Sequence, residues 1–463
     1  MANVFELRGK RVLVVGLART GVATAMFCAS RGAQVTCTDT RLESEIGESI
    51  ARLQAAGVNL ELGGHSERLL LHQDLLVPSP GVPADAPFLK AARVQGITVW
   101  SEIELADRFL NGRLIGITGS NGKTTTTSLI EHILRSAGFS TILAGNIGTP
   151  LISCVEQTND QTITVVELSS FQLELIETFH PNISVFLNLT PDHLDRHGTF
   201  KSYGAAKARI FENQAEADFA VLNADDAATA ALAPARPHLY WFSRKKQVAQ
   251  GAFVRGSEII FRQDGVEQVL LKLADIPLAG GHNVENVLAA VATARLAGAE
   301  PAAIAKGVRS FSGVEHRLEF VAEIGGVRYY NDSKATNVDA TLKALDAFPG
   351  RILIILGGKD KGSDYTVLQA PLREKAILAL LIGAAAEKIE KQIAGSVAIE
   401  RAETLERAVD TAAHAAQPGD IVILAPACAS FDQFQNYEHR GRVFKELVHQ
   451  LERQAASSTL GGR

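Results

Sequence analysis

Lys123 and Thr124 stand directly behind a turn containing Gly119 and Gly122, in the stretch Ile115-Gly-Ile-Thr-Gly-Ser-Asn-Gly-Lys-Thr-Thr125. An ammonium beside a hydroxyl, after a glycine-rich turn, is an arrangement that binds a polyphosphate. Backbone N–H groups and a helix N-terminus face the anion, the lysine adds a point charge, and the hydroxyl is placed to hold Mg2+ beside the phosphates. The strict phosphate-loop pattern has a glycine five places before Gly122; Ile117 occupies that place, so the loop is a shortened variant. The apolar run before the turn predicts a buried strand, and Leu129, Ile130, Ile133 and Leu134 predict a helix after it. A plain turn with a solvated lysine is the competing reading, and the agreement of strand, turn and helix disfavours it. The chain is expected to bind a nucleoside triphosphate.

Magnesium ligands are expected at neighbouring strand ends. Glu167 closes the apolar run Ile163 to Leu168, and His193 lies just beyond Ile183 to Asn188. Alone, Glu167 could merely cap the next helix and His193 could be structural. Strands parallel to the phosphate-loop strand would bring Thr124, Glu167 and His193 to one sheet edge, which favours a metal site. Lys207, on a predicted helix, is by composition an ordinary solvated lysine. Later, Asn331-Asp-Ser-Lys-Ala-Thr-Asn337 offers Asp332 to ribose hydroxyls and Lys334 to a phosphate, in competition with an Asx turn capping the following helix. Gly357-Gly-Lys-Asp-Lys-Gly362 is glycine-rich and basic and suits an anion. In Ala427-Cys-Ala-Ser-Phe-Asp-Gln433, Ser430 falls at an expected helix N-terminus, good for a carboxylate, and Cys428 reads as a buried structural thiol.

The elements that must position these residues fall into three α/β units. The first opens with the strand Arg11 to Val15, the turn Gly16-Leu-Ala-Arg-Thr-Gly21, the helical run Val22 to Ala29, and a strand Gln34 to Thr38 leading into Asp39-Thr40-Arg41. This is the start of a Rossmann-like unit, but Ala18 stands where the dinucleotide fingerprint has its second glycine, which disfavours an NAD-dependent oxidoreductase. Leu75 to Val77, followed by Pro78-Ser-Pro-Gly-Val82, adds another strand and loop at the same sheet edge. The second unit carries the phosphate loop and further strands at Ile163 to Leu168, Ile183 to Asn188 and Phe219 to Leu222. The β-rich stretch Leu239 to Leu273 reads as a small antiparallel appendage, before a helix Asn283 to Leu296. The third has a hairpin within Leu318 to Tyr330, around Gly325-Gly326, and strands Arg351 to Leu356, Ile377 to Ile382 and Ile421 to Leu424. Expected boundaries give domains of residues 1–102, 103–313 and 314–463. The tail Ala455 to Arg463 reads as disordered.

A length of 463 residues with 46% hydrophobic and 21% charged residues fits about three globular domains. A net charge of −5 argues against a protein built to coat nucleic acid or anionic membrane. Cys28, Cys37, Cys154 and Cys428 are scattered, which points to a reduced, cytoplasmic compartment, and no apolar run approaches the roughly 20 residues that span a bilayer.

In order and combination these motifs resemble the Mur ligases of bacterial cell-wall synthesis, from Gly16 to about Tyr437. The phosphate loop and Glu315-His-Arg317 mark the superfamily; Gly145-Asn-Ile-Gly148, His282-Asn283 and Asn286 agree with it. Glu167-Leu-Ser-Ser-Phe-Gln-Leu173, Asn331 to Asn337 and Ala425-Pro-Ala-Cys-Ala-Ser-Phe-Asp-Gln-Phe434 point to its D-glutamate-adding branch. The resemblance implies a UDP-binding N-terminal domain, a central ATPase domain and a mobile C-terminal domain in a monomer. It implies the substrates ATP, UDP-N-acetylmuramoyl-L-alanine and D-glutamate, with two Mg2+ ions. Thr20, Asp39, Thr40, Arg41 and Gly81 would face the UDP moiety, and Asn146 and His193 the muramoyl-alanine end. Gly119, Asn121, Gly122, Lys123, Thr124, Thr125, Asn286, Arg317, Asp332 and Lys334 would contact ATP. Thr124, Glu167, His193 and a carbamylated Lys207 would serve the metals, with Lys123 the catalytic cation. Thr336, Lys361, Ser430 and Tyr437 would form the D-glutamate pocket; Lys359 is an alternative to Lys361, and Tyr437 stands where phenylalanine is expected. The implied reaction passes through an acyl phosphate. The rivals are a superfamily member with another acceptor and a binding or transport protein that hydrolyses ATP without forming a bond.

Overall fold

Short runs of valine, isoleucine and leucine set the strands. The computed structural model describes residues 5–278 and 280–460, apart from the side chains of residues 195 and 456–460. Arg11–Val15 (β1) is buried at all but its first residue, as a parallel strand covered on both faces must be. With Gln34–Asp39 (β2), Asn59–Leu62 (β3), Leu75–Pro78 (β4) and Thr98–Val99 (β5) it builds a parallel sheet of order β3-β2-β1-β4-β5. The order reverses between β1 and β4, and ligands of open α/β sheets bind beyond the carboxyl ends of such strands. There Gly21 lets the helix Arg19–Ser30 start tight against the turn, since a Cβ on it would lie 1.8 Å from the Gly16 carbonyl oxygen.

Nine strands follow: Arg113–Thr118 (β6), Ser140–Gly145 (β7), Thr162–Glu167 (β8), Ile183–Phe186 (β9), Phe219–Asn223 (β10), His238–Ser243 (β11), Gly251–Arg255 (β12), Glu258–Gln263 (β13) and Val266–Lys272 (β14). Their order among the described residues is β14-β13-β12-β11-β10-β9-β6-β8-β7. The phosphate-loop strand β6 lies between β8 and β9 and runs parallel to both, as a shared catalytic edge requires. The stretch expected to be a small antiparallel appendage on the central domain is instead the outer part of this sheet. β11 pairs parallel with β10 and β12 parallel with β11, and only β13 and β14 turn antiparallel. Side-chain periodicity carries no strand direction, and the open edge of β10 demands a partner for its backbone groups.

The helix Glu102–Asp107 links these two sheets, and its carboxylates act as anchors. Glu102 Oε1 accepts the Ile152 N–H at 2.7 Å. Glu104 accepts the N–H groups of Glu177, Thr178 and Phe179 and pairs with Arg108 at 2.7 Å.

The third sheet contains Glu319–Ile324 (β15), Val327–Asn331 (β16), Ile352–Gly357 (β17), Ala376–Ile382 (β18), Ala398–Glu403 (β19) and Ile421–Leu424 (β20), in the order β15-β16-β20-β17-β18-β19. β15 and β16 form the expected hairpin and the remaining pairings are parallel. Ile352, Ile354 and Leu356 belong to one core and Leu353 and Ile355 to another, so β17 is buried on both faces. The chain forms two compact units: residues up to Ile276 with Val284–Phe311, and Pro277–Asn283 with residues from Ser312 onward. The helix Tyr437–Leu460 occupies most of the tail expected to be disordered; residues 461–463 lie outside the described residues. No helix among the described residues is long and apolar enough to cross a membrane.

Candidate active site

The phosphate loop bends at Gly119 (φ +150°) and Gly122 (φ +81°), and the helix Lys123–Ser136 starts at once. A Cβ on Gly122 would lie 2.3 Å from Asn286 Oδ1, so glycine is what lets the helix Gly281–Leu296 approach the loop. The Thr126 hydroxyl donates to the same oxygen at 3.3 Å, and Thr125 is buried alongside. Asn188 braces the other side: its Oδ1 accepts the Asn121 N–H at 2.8 Å and its Nδ2 donates to the Asn121 carbonyl at 3.1 Å. Sequence reasoning missed this role; a polar residue just past a buried strand was the available signal. Lys123 Nζ donates to the carbonyls of Gly119 (2.8 Å) and Ser120 (3.0 Å), so its ammonium lies across its own loop.

Three strand ends meet at Glu167. The Thr124 hydroxyl donates to its Oε2 at 2.8 Å and Asn146 Nδ2 donates to its Oε1 at 2.9 Å. Glu167 does not cap the next helix: Ser169 does, accepting the Gln172 N–H, with Gln172 reaching back to the Ser169 N–H. Lys207, expected from composition to be solvated, is only 2% exposed. It sits on the inner face of the helix Phe200–Ala208, donates to the Gly119 carbonyl at 2.9 Å and lies 4.7 Å from the centre of the Tyr203 ring. Burial, and then the nearby Lys123 ammonium, hold its pKa well below that of an ordinary lysine. His193 adopts a left-handed conformation (φ +50°), is half exposed, and meets the Phe171 ring edge-on at 5.0 Å. Among the described residues no three His, Cys, Asp or Glu side chains gather into a metal-holding group. Thr124 and Glu167 present hard oxygen donors, of the kind Mg2+ combines with phosphate oxygens and water.

At the edge of the first sheet, Asp39 is already committed. Its carboxylate accepts the Leu17 N–H at 2.6 Å and the Arg41 N–H at 2.9 Å, and takes the Arg41 guanidinium in a fork at 3.1 and 2.8 Å. The Arg41 guanidinium holds the Asp39 carboxyl well below the usual carboxylate range. Thr20 lies in the first turn of the helix Arg19–Ser30, whose N-cap residue Ala18 supplies no side-chain cap. Thr40 and Gly81 are exposed, and a Cβ on Gly81 would meet nothing within 4 Å.

In the unit from Ser312 onward, Arg317 lies between two non-glycine residues in left-handed conformations, His316 (φ +65°) and Leu318 (φ +43°). Asp332 helps to hold that segment, accepting the Leu318 N–H at 3.3 Å, and burial pushes its pKa up to about 7. Lys334 lies 3.8 Å from the centre of the Tyr437 ring. The Asx reading of this cluster also holds, since Asn337 caps the helix Val338–Asp346. Ser430 does not open a helix: the chain turns there, with the Phe434 N–H donating to the Ser430 carbonyl, and the helix begins only at Tyr437. Buried Arg440 ties this loop to the Asp332 segment, donating to Ser333 Oγ at 3.0 Å and to the Cys428 carbonyl at 3.2 Å. Lys359 pairs with Ala429 through its backbone, bringing the glycine-rich loop beside Ser430, while Lys361 and Thr336 are on more open parts of the same strand-end cluster. Burial pushes the Cys428 thiol up to about 11, in keeping with a structural role.

The sequence matches three domain families in succession: the Mur ligase MurD-like N-terminal domain over residues 10–101, the Mur ligase middle domain over 117–294, and the Mur ligase glutamate ligase domain over 316–428. The UDP-N-acetylmuramoylalanine–D-glutamate ligase of Koribacter versatilis is 55% identical over 97% of this chain and 99% of its own. The ligase of the same name from Acidobacterium capsulatum is 54% identical over 96% and 97%. Among solved structures, MurF ligase from Thermotoga maritima in complex with ADP shares the fold at a TM-score of 0.59 and 17% identity, covering 98% of both chains. MurC from the same organism does so at a TM-score of 0.58 and 20% identity, over 95% of this chain and 99% of its own. On these matches, nearly end to end, the chain belongs to the Mur ligase family.

Proposed function

We propose that this protein is an ATP-dependent amide ligase that joins D-glutamate to UDP-N-acetylmuramoyl-L-alanine in peptidoglycan precursor synthesis. The observation that carries the reading is the meeting of Thr124, Asn146 and Glu167 beside Lys207 and the phosphate loop, in a chain more than half identical to ligases of that name. The functional modules are residues 1–102 for UDP, 103–313 for ATP and 314–463 for the amino acid and part of ATP.

In the first step the alanyl carboxylate attacks the γ-phosphorus, the bond to the β-phosphate oxygen breaks, and ADP leaves an acyl phosphate. The neutral amine of D-glutamate then attacks the acyl carbon, loses a proton, and the C–O bond to phosphate breaks. Two anions must meet in the first step. Lys123 moves from its loop carbonyls to the β- and γ-phosphates and offsets that repulsion. Mg2+ held at Thr124 and Glu167, with His193 and Lys207 near the same edge, would supply further charge neutralisation on the transferring group. Burial lowers the pKa of Lys207, which favours the amine form that reacts with CO2 to give a carbamate and a proton; that carbamate would supply an anion at the edge where Mg2+ would be held. Asn146 and His193 orient the muramoyl-alanine end, and Thr336, Lys361 or Lys359, Ser430 and Tyr437 hold D-glutamate. A monomer in the cytoplasm suits this chemistry, and the four cysteines are buried free thiols.

The test is incubation with ATP, Mg2+ and UDP-N-acetylmuramoyl-L-alanine, adding D-glutamate, L-glutamate or other amino acids separately, with phosphate and product mass both followed. Phosphate and a new amide are expected only with D-glutamate. Turnover with another acceptor would overturn the specificity, and acceptor-independent hydrolysis would overturn the ligase.

A further inference from the structure

Arg196 lies in a short helix, Leu194–His197, three residues after His193, yet its guanidinium serves the first sheet. Nη1 donates to the carbonyls of Pro80 (3.0 Å) and Gly81 (3.3 Å), and Nη2 donates to that of Val82 (2.9 Å). Those three consecutive carbonyls belong to a turn closed by the Val82 N–H on the Ser79 carbonyl and fastened to the neighbouring turn by Ser79 Oγ on the Gly16 carbonyl, at 2.7 Å. On its other side the guanidinium lies 4.1 Å from the centre of the Phe171 ring and 3.5 Å from Glu174. The same ring stacks on His197 at 5.4 Å and meets His193 at 5.0 Å. One side chain therefore connects the Gly81 turn to the ring against which His193 rests.

We propose that Arg196 is a positioning residue for the UDP-linked substrate, holding the turn of residues 79–82 in register with His193 so that both ends of one substrate are met at once. The inference rests on the function proposed above, which puts Gly81 at the UDP end and His193 at the muramoyl-alanine end. With its carbonyls engaged by Arg196, the turn keeps its open side, at Gly81, for the ligand. A guanidinium suits the task because its planar fork reaches several carbonyls and stacks on an aromatic ring, which an ammonium does not reproduce. A second crossing runs the opposite way, from Arg19 Nη1 to the Gly148 carbonyl at 2.6 Å, two residues beyond Asn146.

The experiment measures binding of UDP-N-acetylmuramoyl-L-alanine, and separately of ADP, to the full-length protein, Arg196→Lys and Arg196→Ala, with melting curves recorded for each. Loss of charged hydrogen bonds should weaken UDP-substrate binding by Arg196→Ala about tenfold or more. ADP binding should stay unchanged, and millimolar methylguanidinium should restore part of the loss. Arg196→Lys should recover little, and it carries the same comparison if the alanine variant does not fold. Unchanged UDP-substrate affinity in the variants would overturn the inference alone, as would equal weakening of both ligands without rescue. Failure of the unaltered protein to bind the UDP substrate would remove the functional reading, and this inference with it.

Discussion

Lys123 meets two carbonyls of its own loop, so its charge is held beside the phosphate position. Lys123→Ala should lower kcat by about a thousandfold or more while folding normally, because the lost charge acts on the transferring phosphoryl group. Steady-state rates with a melting curve check this, and near-normal turnover would take the loop out of the chemistry. Lys207 separates activity from stability in the opposite sense. Its pKa is depressed by burial, so the unfolded chain binds a proton that the folded chain resists, and stability falls as pH drops below the ordinary lysine value. Lys207→Met should therefore leave the protein as stable or more so at neutral pH, yet nearly inactive. Lys207→Ala should be equally inactive and regain partial activity with a short carboxylic acid; full activity without rescue would end the carbamate proposal. The phosphate-loop residues were legible because their spacing is chemistry in itself. Burial of Lys207 was not, since two alanines and a lysine on a helix look alike whether they face water or a loop. Arg196 was hidden by distance: its partners come 114 to 116 residues earlier.

At the scale of elements, the helix Glu102–Asp107 carries an unusual load. Glu102 is fully buried, its Oε2 has no hydrogen-bond partner among the described residues, and burial pushes its pKa up to about 7 from 4.5. Below about pH 4.5 the carboxyl is protonated in folded and unfolded chains alike. As pH rises toward 7 the unfolded chain ionises first, so stability declines, and above 7 the penalty is constant. Glu102→Gln should thus add about 1–3 kcal/mol at pH 8 and almost nothing near pH 4.5. Denaturant melts at the two pH values check this; equal stability of the two proteins at pH 8 would mean that Glu102 ionises freely. Most strands with four or more apolar residues were legible. β5, with two residues, and β19, with alternating charges, were not, because their pairing comes from neighbours rather than from their own apolar content. The turn at Ser430 was mistaken for a helix start because capping residues favour both.

For the whole molecule, the third sheet has a core on each face, built from its own residues. Residues 312–463 expressed alone should fold, with a cooperative melt in the range of about 45–65 °C typical of such domains. Circular dichroism and calorimetry check this, and a chain without a cooperative transition would show that the unit depends on the rest of the protein. The number of α/β sheets was readable from alternating strand and helix signals, whereas the joining of β11 and β12 to the central sheet needed three dimensions. The place of β6 between β8 and β9 also bears on biosynthesis. Both neighbours are made after it, so a ribosome that has released residue 123 has released a phosphate loop with no sheet to hold it. The loop gains Glu167, then Asn188, then Lys207 in the order of translation. A nascent chain interrupted before the helix of Lys207 would carry the whole nucleotide motif and still lack the site, so premature termination would yield no stray ATPase.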